Sequence, residues 1–469
     1  MAIHKPKTLL SAGTVLRVNR ELSLSRAARP VKIGMVSLGC PKTLVDSEVI
    51  LGKLSGPAFE LTTSVNDCDI AVINTCTFIQ DAQAESVNRI LELIELKKSK
   101  QIQGVVVMGC LVQRFPKELR KELKEVDAFI GSGEYEKIQT VVQKVVSGGK
   151  FFSVGAPGYL STASEPRVAL TPRHYRYIKI SEGCDHVCTF CMIPTFRGNH
   201  RSRVLDDVVA EARNLIQAGA KEILLTGQDT TFFGRDTEGK FLLPELIRQL
   251  DKLEEFEWLR LLYAYPSCVT EELMLTMRDS KHLCHYLDMP LQHASDAMLL
   301  AMKRGITKRR TYDLMESFRR HVPDLAVRTT FIVGFPGETD KDFQELLDFM
   351  REIRFERVGI FTYSREEGSP AAAMPAQVPE KIKAERLREA MLQQQEISAQ
   401  NNQRWIGKTL RVMVEEKDFA ENRWRGRSFM DAPEIDGGVY VNSRMVLEPG
   451  TLYNVHIKKA AEYDLFGTV

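Results

Sequence analysis

The sequence predicts an α/β protein in three parts: a doubly wound α/β domain at the amino end, a central partial (βα)6 barrel, and a small antiparallel β-barrel at the carboxyl end. Three observations lead there. From Val31 to about Gly149, short apolar runs alternate with amphipathic helical stretches. The same rhythm resumes with longer repeats between Arg173 and about Gln400. From about Trp405 the chain changes to short β-rich runs broken by turns. A chain of 469 residues also exceeds what one hydrophobic core ordinarily serves, so several domains are expected.

Residues 1–30 set Lys5, Lys7, Arg17, Arg20, Arg26 and Arg29 against a single acid, Glu21. They read as a disordered leader or the product of an early start codon, in a pattern that also loosely resembles an organelle transit peptide. In the domain expected over 31–150, the runs 31–38, 70–74 and 105–108 read as buried parallel strands, with helices over 85–96 and 135–146. Residues 151–172 are rich in Gly, Pro, Ser and Thr and read as a linker. The domain expected over 173–401 has candidate strands at 177–181, 222–226, 258–263, 286–289, 328–333 and 357–362. Helical patterns such as 206–218 and 340–349 separate them, and six βα units make about three-quarters of a closed eight-unit barrel. A charged, Gln-rich helix over 381–403 leads out of it. In the last domain, 402–469, the runs 410–415, 438–442, 444–446 and 452–458 read as barrel strands.

Composition excludes some classes of function. Net charge is only +2, which gives no argument for a nucleic-acid polyanion as the main partner. No uninterrupted apolar stretch approaches the roughly 20 residues a membrane-spanning helix needs. Nine cysteines is an odd number, and no secretory signal precedes them, so a disulfide framework is not expected. Reduced thiols in a cytoplasmic protein are metal ligands, catalysts or core residues.

Cys184, Cys188 and Cys191 form a Cys-x3-Cys-x2-Cys set directly after the first barrel strand. Thiolates are soft ligands that suit iron–sulfur clusters and zinc. A closed zinc site would need a fourth ligand, for which His186 is the only local residue, and its place between two of the cysteines makes a tetrahedron awkward. Three thiolates can instead hold three irons of a 4Fe-4S cluster and leave the fourth open. The amino and carboxylate groups of S-adenosylmethionine (SAM) can chelate an open iron. An electron from the cluster then breaks a carbon–sulfur bond and releases a deoxyadenosyl radical, chemistry that belongs to the cofactor. The segment SEGCDHVCTFCMIPTFRG, 181–198, resembles the core motif of the radical SAM superfamily.

Cys40, Cys76 and Cys110 each stand just beyond the carboxyl end of an expected parallel strand. Those ends gather on one edge of an open α/β sheet, so three distant residues can converge on one site. Metal binding and chance burial of thiols both remain open on spacing alone. Cys68, Cys268 and Cys284 share no such placement and read as packing residues. The runs SLGCPKTLVDSE (37–48), NTCTF from Asn74 and MGCLVQR from Met108 are similar to the amino-terminal domain of methylthiotransferases, a family that carries two 4Fe-4S clusters. The resemblance spans the chain from about Val31 to Val469. It implies that Cys184, Cys188 and Cys191 hold the radical-generating cluster, and that Cys40, Cys76 and Cys110 hold an auxiliary one whose open iron carries the sulfur to be inserted.

Barrel-end motifs are expected to wrap SAM: LLTGQD with Thr226, Gln228 and Asp229; MPLQHAS (289–295) with Gln292; and RTTFIVGFPGET (328–339) with Arg328 and Gly334. Gly334 and Gly337 permit close backbone approach, and Arg328 can pair with a carboxylate. No catalytic side chain is assigned, because hydrogen abstraction by the radical needs no general base.

The family divides between enzymes that modify an adenosine of tRNA and enzymes that modify an aspartate of small-subunit ribosomal protein twelve. The motif GCPKTLVDSE resembles the protein branch, whereas the tRNA branch has GCQMN there; the protein branch usually has Asn where Thr43 stands. The tail resembles a TRAM domain, normally an RNA binder, yet from Gln403 to Val469 ten basic residues face ten acidic ones. Such a module lacks the basic excess of a phosphate-driven binder. Its loop SFMDAPEIDG, 428–437, brings Asp431, Glu434 and Asp436 together, suited to a basic ribosomal protein. Arg423, Arg425 and Arg427 with Trp424 form a basic and aromatic strip that would suit RNA. The expectation is an enzyme converting that aspartate to its 3-methylthio form, with SAM, two clusters, a reductant and a sulfur donor. The alternatives are a tRNA methylthiotransferase and a non-enzymatic iron–sulfur carrier or zinc-bound RNA module.

Overall fold

A computed structural model describes residues 29–469. The leader expected over residues 1–30 therefore lies almost wholly outside the described residues. The chain forms two compact units. The first holds the residues up to Pro172 together with Glu182–Cys184 and Met192–His200. The second holds Arg173–Ser181, Asp185–Cys191 and Arg201–Val469.

The first unit is a six-stranded sheet in which every neighbouring pair is parallel. Its spatial order is Phe59–Thr62, Val31–Ser37, Ile70–Thr75, Gly104–Gly109, Ala128–Ile130, Phe151–Ser153. Ile70–Thr75 and Gly104–Gly109 are buried along their whole lengths, which is why they read as unbroken apolar runs rather than alternating ones. Helices such as Pro41–Lys53 and Gln80–Lys98 cover the faces. The strand order reverses between Val31–Ser37 and Ile70–Thr75, and ligands of open α/β sheets bind outside the strand ends at such a point. One expectation is corrected. Phe151–Ser153, placed in the linker, pairs with Ala128–Ile130 and forms the sheet's last strand.

The second unit begins with six parallel strands, Tyr175–Lys179, Glu222–Thr226, Trp258–Leu261, Leu283–Asp288, Ala326–Val333 and Arg357–Thr362, paired in sequence order as an open sheet. An apolar core including Ile178, Leu225, Leu261, Leu287 and Phe331 fills the space between strands and helices. The helix Glu380–Gln403 returns along the last strand, where Gln394 and Asn401 donate to the Phe355 carbonyl. The tail closes into a five-stranded barrel, antiparallel except where Val439–Asn442 runs parallel to Leu465–Thr468. Residues 444–446, expected as a strand, form none; Met445 and Val446 stand exposed. No helix among the described residues is long and apolar enough to cross a membrane.

The tail loop 428–437 packs onto residues in the amino-terminal parts of the barrel strands. Arg357 donates to Asp431 (2.6 and 2.9 Å), Arg328 pairs with Asp436 (3.3 Å) and the Tyr286 hydroxyl donates to Asp436 (2.7 Å). Arg427 donates to Glu222 and to Glu415, each at 2.6 Å. The acidic loop is thus turned inward. Asp431 and Asp436 are buried against arginines of the barrel, and only Glu434 and Ile435 stand exposed, which corrects the reading of this loop as a docking surface for a basic protein. The basic strip is spent in the same way. Arg427 is buried in its ion pairs, Arg423 lies over the Tyr440 ring (4.1 Å) and Arg425 pairs with Glu416.

Candidate functional site

Within the first unit, backbone geometry draws the three strand-end cysteines together. Cys40 caps the helix Pro41–Lys53, Cys76 follows Ile70–Thr75, and Cys110 opens the helix Cys110–Arg114. Gly39 (φ +100°) passes so close to Cys76 that a Cβ on it would lie 3.0 Å from the Cys76 Cβ and 3.2 Å from its Sγ. Gly109, also at φ +100°, turns the chain into Cys110, and a Cβ there would collide with Asn74 Oδ1. Asn74 is itself fixed by donating to Ser47 Oγ (3.0 Å) and to the Thr43 carbonyl (3.3 Å). Ser86 holds Cys76 from both sides, accepting from its N–H (3.1 Å) and donating to its carbonyl (3.0 Å).

The electrostatics around these thiols are uneven. Burial pushes the Cys40 thiol up, but Lys42, the Thr43 backbone and Arg197 outweigh it and leave the thiol below its ordinary value. Burial pushes Cys76 up to about 11, with Cys40 adding to the rise. Cys110 is pushed up to about 12 by burial, against the pull of Arg197. Three soft donors near enough to influence one another fit a thiolate-ligated cluster, because metal ligation takes the thiols as thiolates.

Cys184 belongs to this same unit, and its N–H donates to the Gly198 carbonyl (3.0 Å). Cys188 and Cys191 belong to the second unit, with the Cys191 N–H donating to the Cys188 carbonyl (3.1 Å). Cys188 is buried. Its Sγ accepts from Arg304 Nη1 (3.2 Å) and lies 3.8 Å from the Tyr265 hydroxyl. Arg304 stacks over the Tyr265 ring at 4.2 Å and donates to the Pro290 carbonyl at 2.6 Å. Phe190, between Cys188 and Cys191, packs on an apolar cluster of Met298, Met302, Phe335, Tyr363 and Ala371. Tyr265 and Arg304 follow the carboxyl ends of their strands, opposite the end closed by the tail loop. All nine cysteines are free thiols.

The residues expected around SAM divide. Thr226 Oγ1 is buried without a hydrogen-bond partner among the described residues, as is Ser181 Oγ next to Gly227. Gln292 holds φ +76°, a conformation that costs a non-glycine residue of order 1 kcal/mol or more. It is kept there by bonds of its N–H to the Thr330 carbonyl and of its carbonyl to the Ile332 N–H, each 2.8 Å. Asp229 and Arg328 have partners within the protein. Asp229 Oδ1 accepts from the Thr231 N–H (2.9 Å) and hydroxyl (2.5 Å), and its Oδ2 pairs with His186 Nε2 (2.6 Å), so the carboxylate is committed to its neighbours. Arg328 is committed to Asp288 (2.8 Å) and Asp436, toward the tail rather than toward the cysteines. At Gly334 (φ +73°) the glycine has a local reason, since a Cβ would meet the Lys383 side chain and the N–H donates to Glu338.

His186, the residue weighed as a fourth zinc ligand, has its Nε2 on Asp229 (2.6 Å). It stacks on Tyr265 with ring centroids 3.5 Å apart. Ligand atoms of His186, Asp229 and Cys268 lie within 4.8 Å of one another, but the direct His186–Asp229 bond accounts for that closeness without an ion. Sequence reasoning gave no role to Arg197, Asp46, Tyr265 or Arg304. Arg197 and Asp46 stand inside the two motifs that carried the resemblance, which was the available signal.

Comparison with known proteins matches each part of the chain. Residues 178–350 match the Radical SAM superfamily, residues 32–131 the Uncharacterized protein family UPF0004, and residues 406–469 the TRAM domain. A ribosomal protein uS12 methylthiotransferase RimO from Pelotomaculum thermopropionicum is 47% identical, covering 93% of this chain and 99% of the relative. Its namesake from Lachnoclostridium phytofermentans is 44% identical, covering 93% and 100%. Among solved structures, the radical S-adenosylmethionine methyltransferase TsrM from Kitasatospora setae superposes with a TM-score of 0.54 at 15% identity, covering 83% of this chain and 79% of that one, a likeness of fold alone. Identity of the degree seen with the first two relatives, over nearly the whole of both chains, means that this chain belongs to the RimO family of methylthiotransferases, which are radical SAM enzymes.

Proposed function

We propose that this chain converts an aspartate of ribosomal protein uS12, small-subunit protein twelve, to 3-methylthioaspartate in the cytoplasm, using SAM and two 4Fe-4S clusters with an external reductant and sulfur donor. The observation that carries the proposal is the near-full-length match to relatives named for that substrate. The tail supports it. With Arg427 buried in ion pairs and Arg423 laid over Tyr440, little of the basic strip is left for an RNA backbone. Whatever acidic complementarity the tail offers uS12 comes from outside Asp431 and Asp436.

In this reading Cys184, Cys188 and Cys191 hold the first cluster, which with SAM supplies hydrogen-abstracting radical chemistry. Arg304 and Tyr265 fix Cys188 with charge-assisted and hydroxyl contacts, and the apolar cluster behind Phe190 excludes water from the cysteine loop. Asp229 orients His186 against Tyr265 and so braces the same wall. Thr226, Gln228 and Gln292 are proposed to contact SAM, Thr226 through its unpartnered buried hydroxyl. Cys40, Cys76 and Cys110 are proposed to hold the second cluster, with Ser86 and Asn74 setting the backbone that presents them.

The test offers both substrates at once. Anaerobically reconstituted enzyme is incubated with SAM, sulfide, reductant, uS12 and total tRNA, and both products are digested and analysed. Methylthiolation of uS12 with unmodified tRNA is expected. Modified adenosine with unchanged uS12 would overturn the proposal.

A further inference from the structure

Arg197 ends the short helix Ile193–Arg197 and is buried within the first unit. Its Nε donates to Cys110 Sγ (3.1 Å), while Nη1 donates to Asp46 (2.8 Å) and Glu182 (3.1 Å). The guanidinium is buried, and the Asp46 and Glu182 carboxylates face it as counter-charges. A buried cation is costly to place unless its charge is paired and its donors are satisfied. The two carboxylates explain how the charge is tolerated. They do not explain why the third donor points at a sulfur.

The contact is also selective. Cys40 Sγ meets the Thr43 hydroxyl (3.7 Å) and backbone N–H, and Cys76 Sγ meets the backbone N–H groups of Thr77 and Phe78, all neutral donors. Of the three cysteines, Cys110 has the charged donor on its sulfur. Hydrogen bonds to ligand sulfurs and the net charge around a cluster are what proteins use to set cluster potentials. The residue that makes this bond lies six positions beyond Cys191, so the segment that leaves one cysteine triad donates to a cysteine of the other.

We propose that Arg197 is a positioning residue for the auxiliary site, raising the reduction potential of a cluster held by Cys40, Cys76 and Cys110 through its N–H bond to the Cys110 sulfur. The inference rests on the reading that these three thiolates hold a cluster. A positive donor on a ligand sulfur favours the more electron-rich, reduced state, so removing it lowers the potential. Asp46 acts in the opposite sense, because losing a carboxylate beside the same guanidinium leaves the site more positive.

The test uses the full chain with Cys184, Cys188 and Cys191 replaced by Ala, so that a single cluster loads. Iron and sulfide content and the midpoint potential, followed by electron paramagnetic resonance, are compared for Arg197, Arg197→Gln, Arg197→Lys and Asp46→Asn. Arg197→Gln is expected to lower the midpoint potential by at least about 59 mV, a tenfold rise in the oxidised-to-reduced ratio at fixed potential for one electron. Arg197→Lys should recover part of that shift, and Asp46→Asn should move the potential upward. Loaded variants with an unchanged potential would show that Arg197 is merely structural. If Arg197→Gln fails to load, the upward shift of Asp46→Asn carries the decision, and its absence overturns the proposal. Failure of the parent to load any cluster would instead remove the auxiliary-cluster reading and this inference with it.

Discussion

Glu222 joins the tail to the barrel sheet, and Glu222→Gln is expected to loosen that junction. The carboxylate accepts Arg260 Nε at 2.7 Å and Arg427 Nη2 at 2.6 Å, with all three side chains essentially excluded from water. A glutamine keeps the shape but gives up the charge, leaving two buried guanidiniums facing a neutral amide. Removing one partner of a buried pair costs about 3–5 kcal/mol. Arg427 keeps Glu415 (2.6 Å), and Arg260 keeps the Phe429 carbonyl (2.6 Å), so the low end, about 3 kcal/mol, is expected. At roughly 1.4 kcal/mol per factor of ten, the opening equilibrium of the tail rises by about two powers of ten. Arg411 and Glu257 join the same two modules by an exposed pair at 2.8 Å, and Arg411→Ala should cost no more than about 1 kcal/mol. The assay is hydrogen exchange of the strands Thr409–Asp418 and Arg423–Arg427 in the intact protein. If Glu222→Gln exchanged no faster than Arg411→Ala, the argument that this buried network holds the tail would be wrong.

Further expectations concern the cysteine sites and pH. Cys188→Ala should abolish deoxyadenosine release from SAM, whereas Cys76→Ala should spare release and stop sulfur insertion; full methylthiolation by Cys76→Ala would refute the auxiliary assignment. Gly109→Ala puts a Cβ against Asn74 at a positive φ, so it should lose the iron carried by Cys40, Cys76 and Cys110, measured with the other triad replaced by Ala. Burial alone would push Glu415 up, but Arg427 and His174 outweigh it and hold its carboxyl at about 2, below the 4.5 of an unperturbed glutamate. A depressed carboxyl stabilises fully above its unfolded value, so this contribution is complete above about pH 4.5 and lost as pH falls toward 2. Glu415→Gln should flatten the acid limb of tail unfolding over that window; an unchanged limb would show that the pair contributes nothing.

The buried strands and the cysteines after them were legible because a doubly covered parallel strand leaves an unbroken apolar run, and Cys76 and Cys110 each follow one. Long-range charge pairing was not. Asp431 and Asp436 read as surface acids because most are, and only the fold reveals Arg328 and Arg357 across from them. The strand Arg423–Arg427 hides for the converse reason, since arginines carry no strand signature until Glu222, Glu415 and Glu416 are known to face them. Arg197 is hidden by distance: its partners Asp46 and Cys110 lie 151 and 87 positions away.

The most direct test of the function is tandem mass spectrometry of uS12 after anaerobic incubation with reconstituted enzyme, SAM, sulfide and reductant, with deoxyadenosine measured in the same sample. The account predicts a methylthio group on one aspartate, together with deoxyadenosine. Deoxyadenosine with no change in uS12 would contradict the substrate, and a cluster-loaded sample releasing none would contradict the radical chemistry itself.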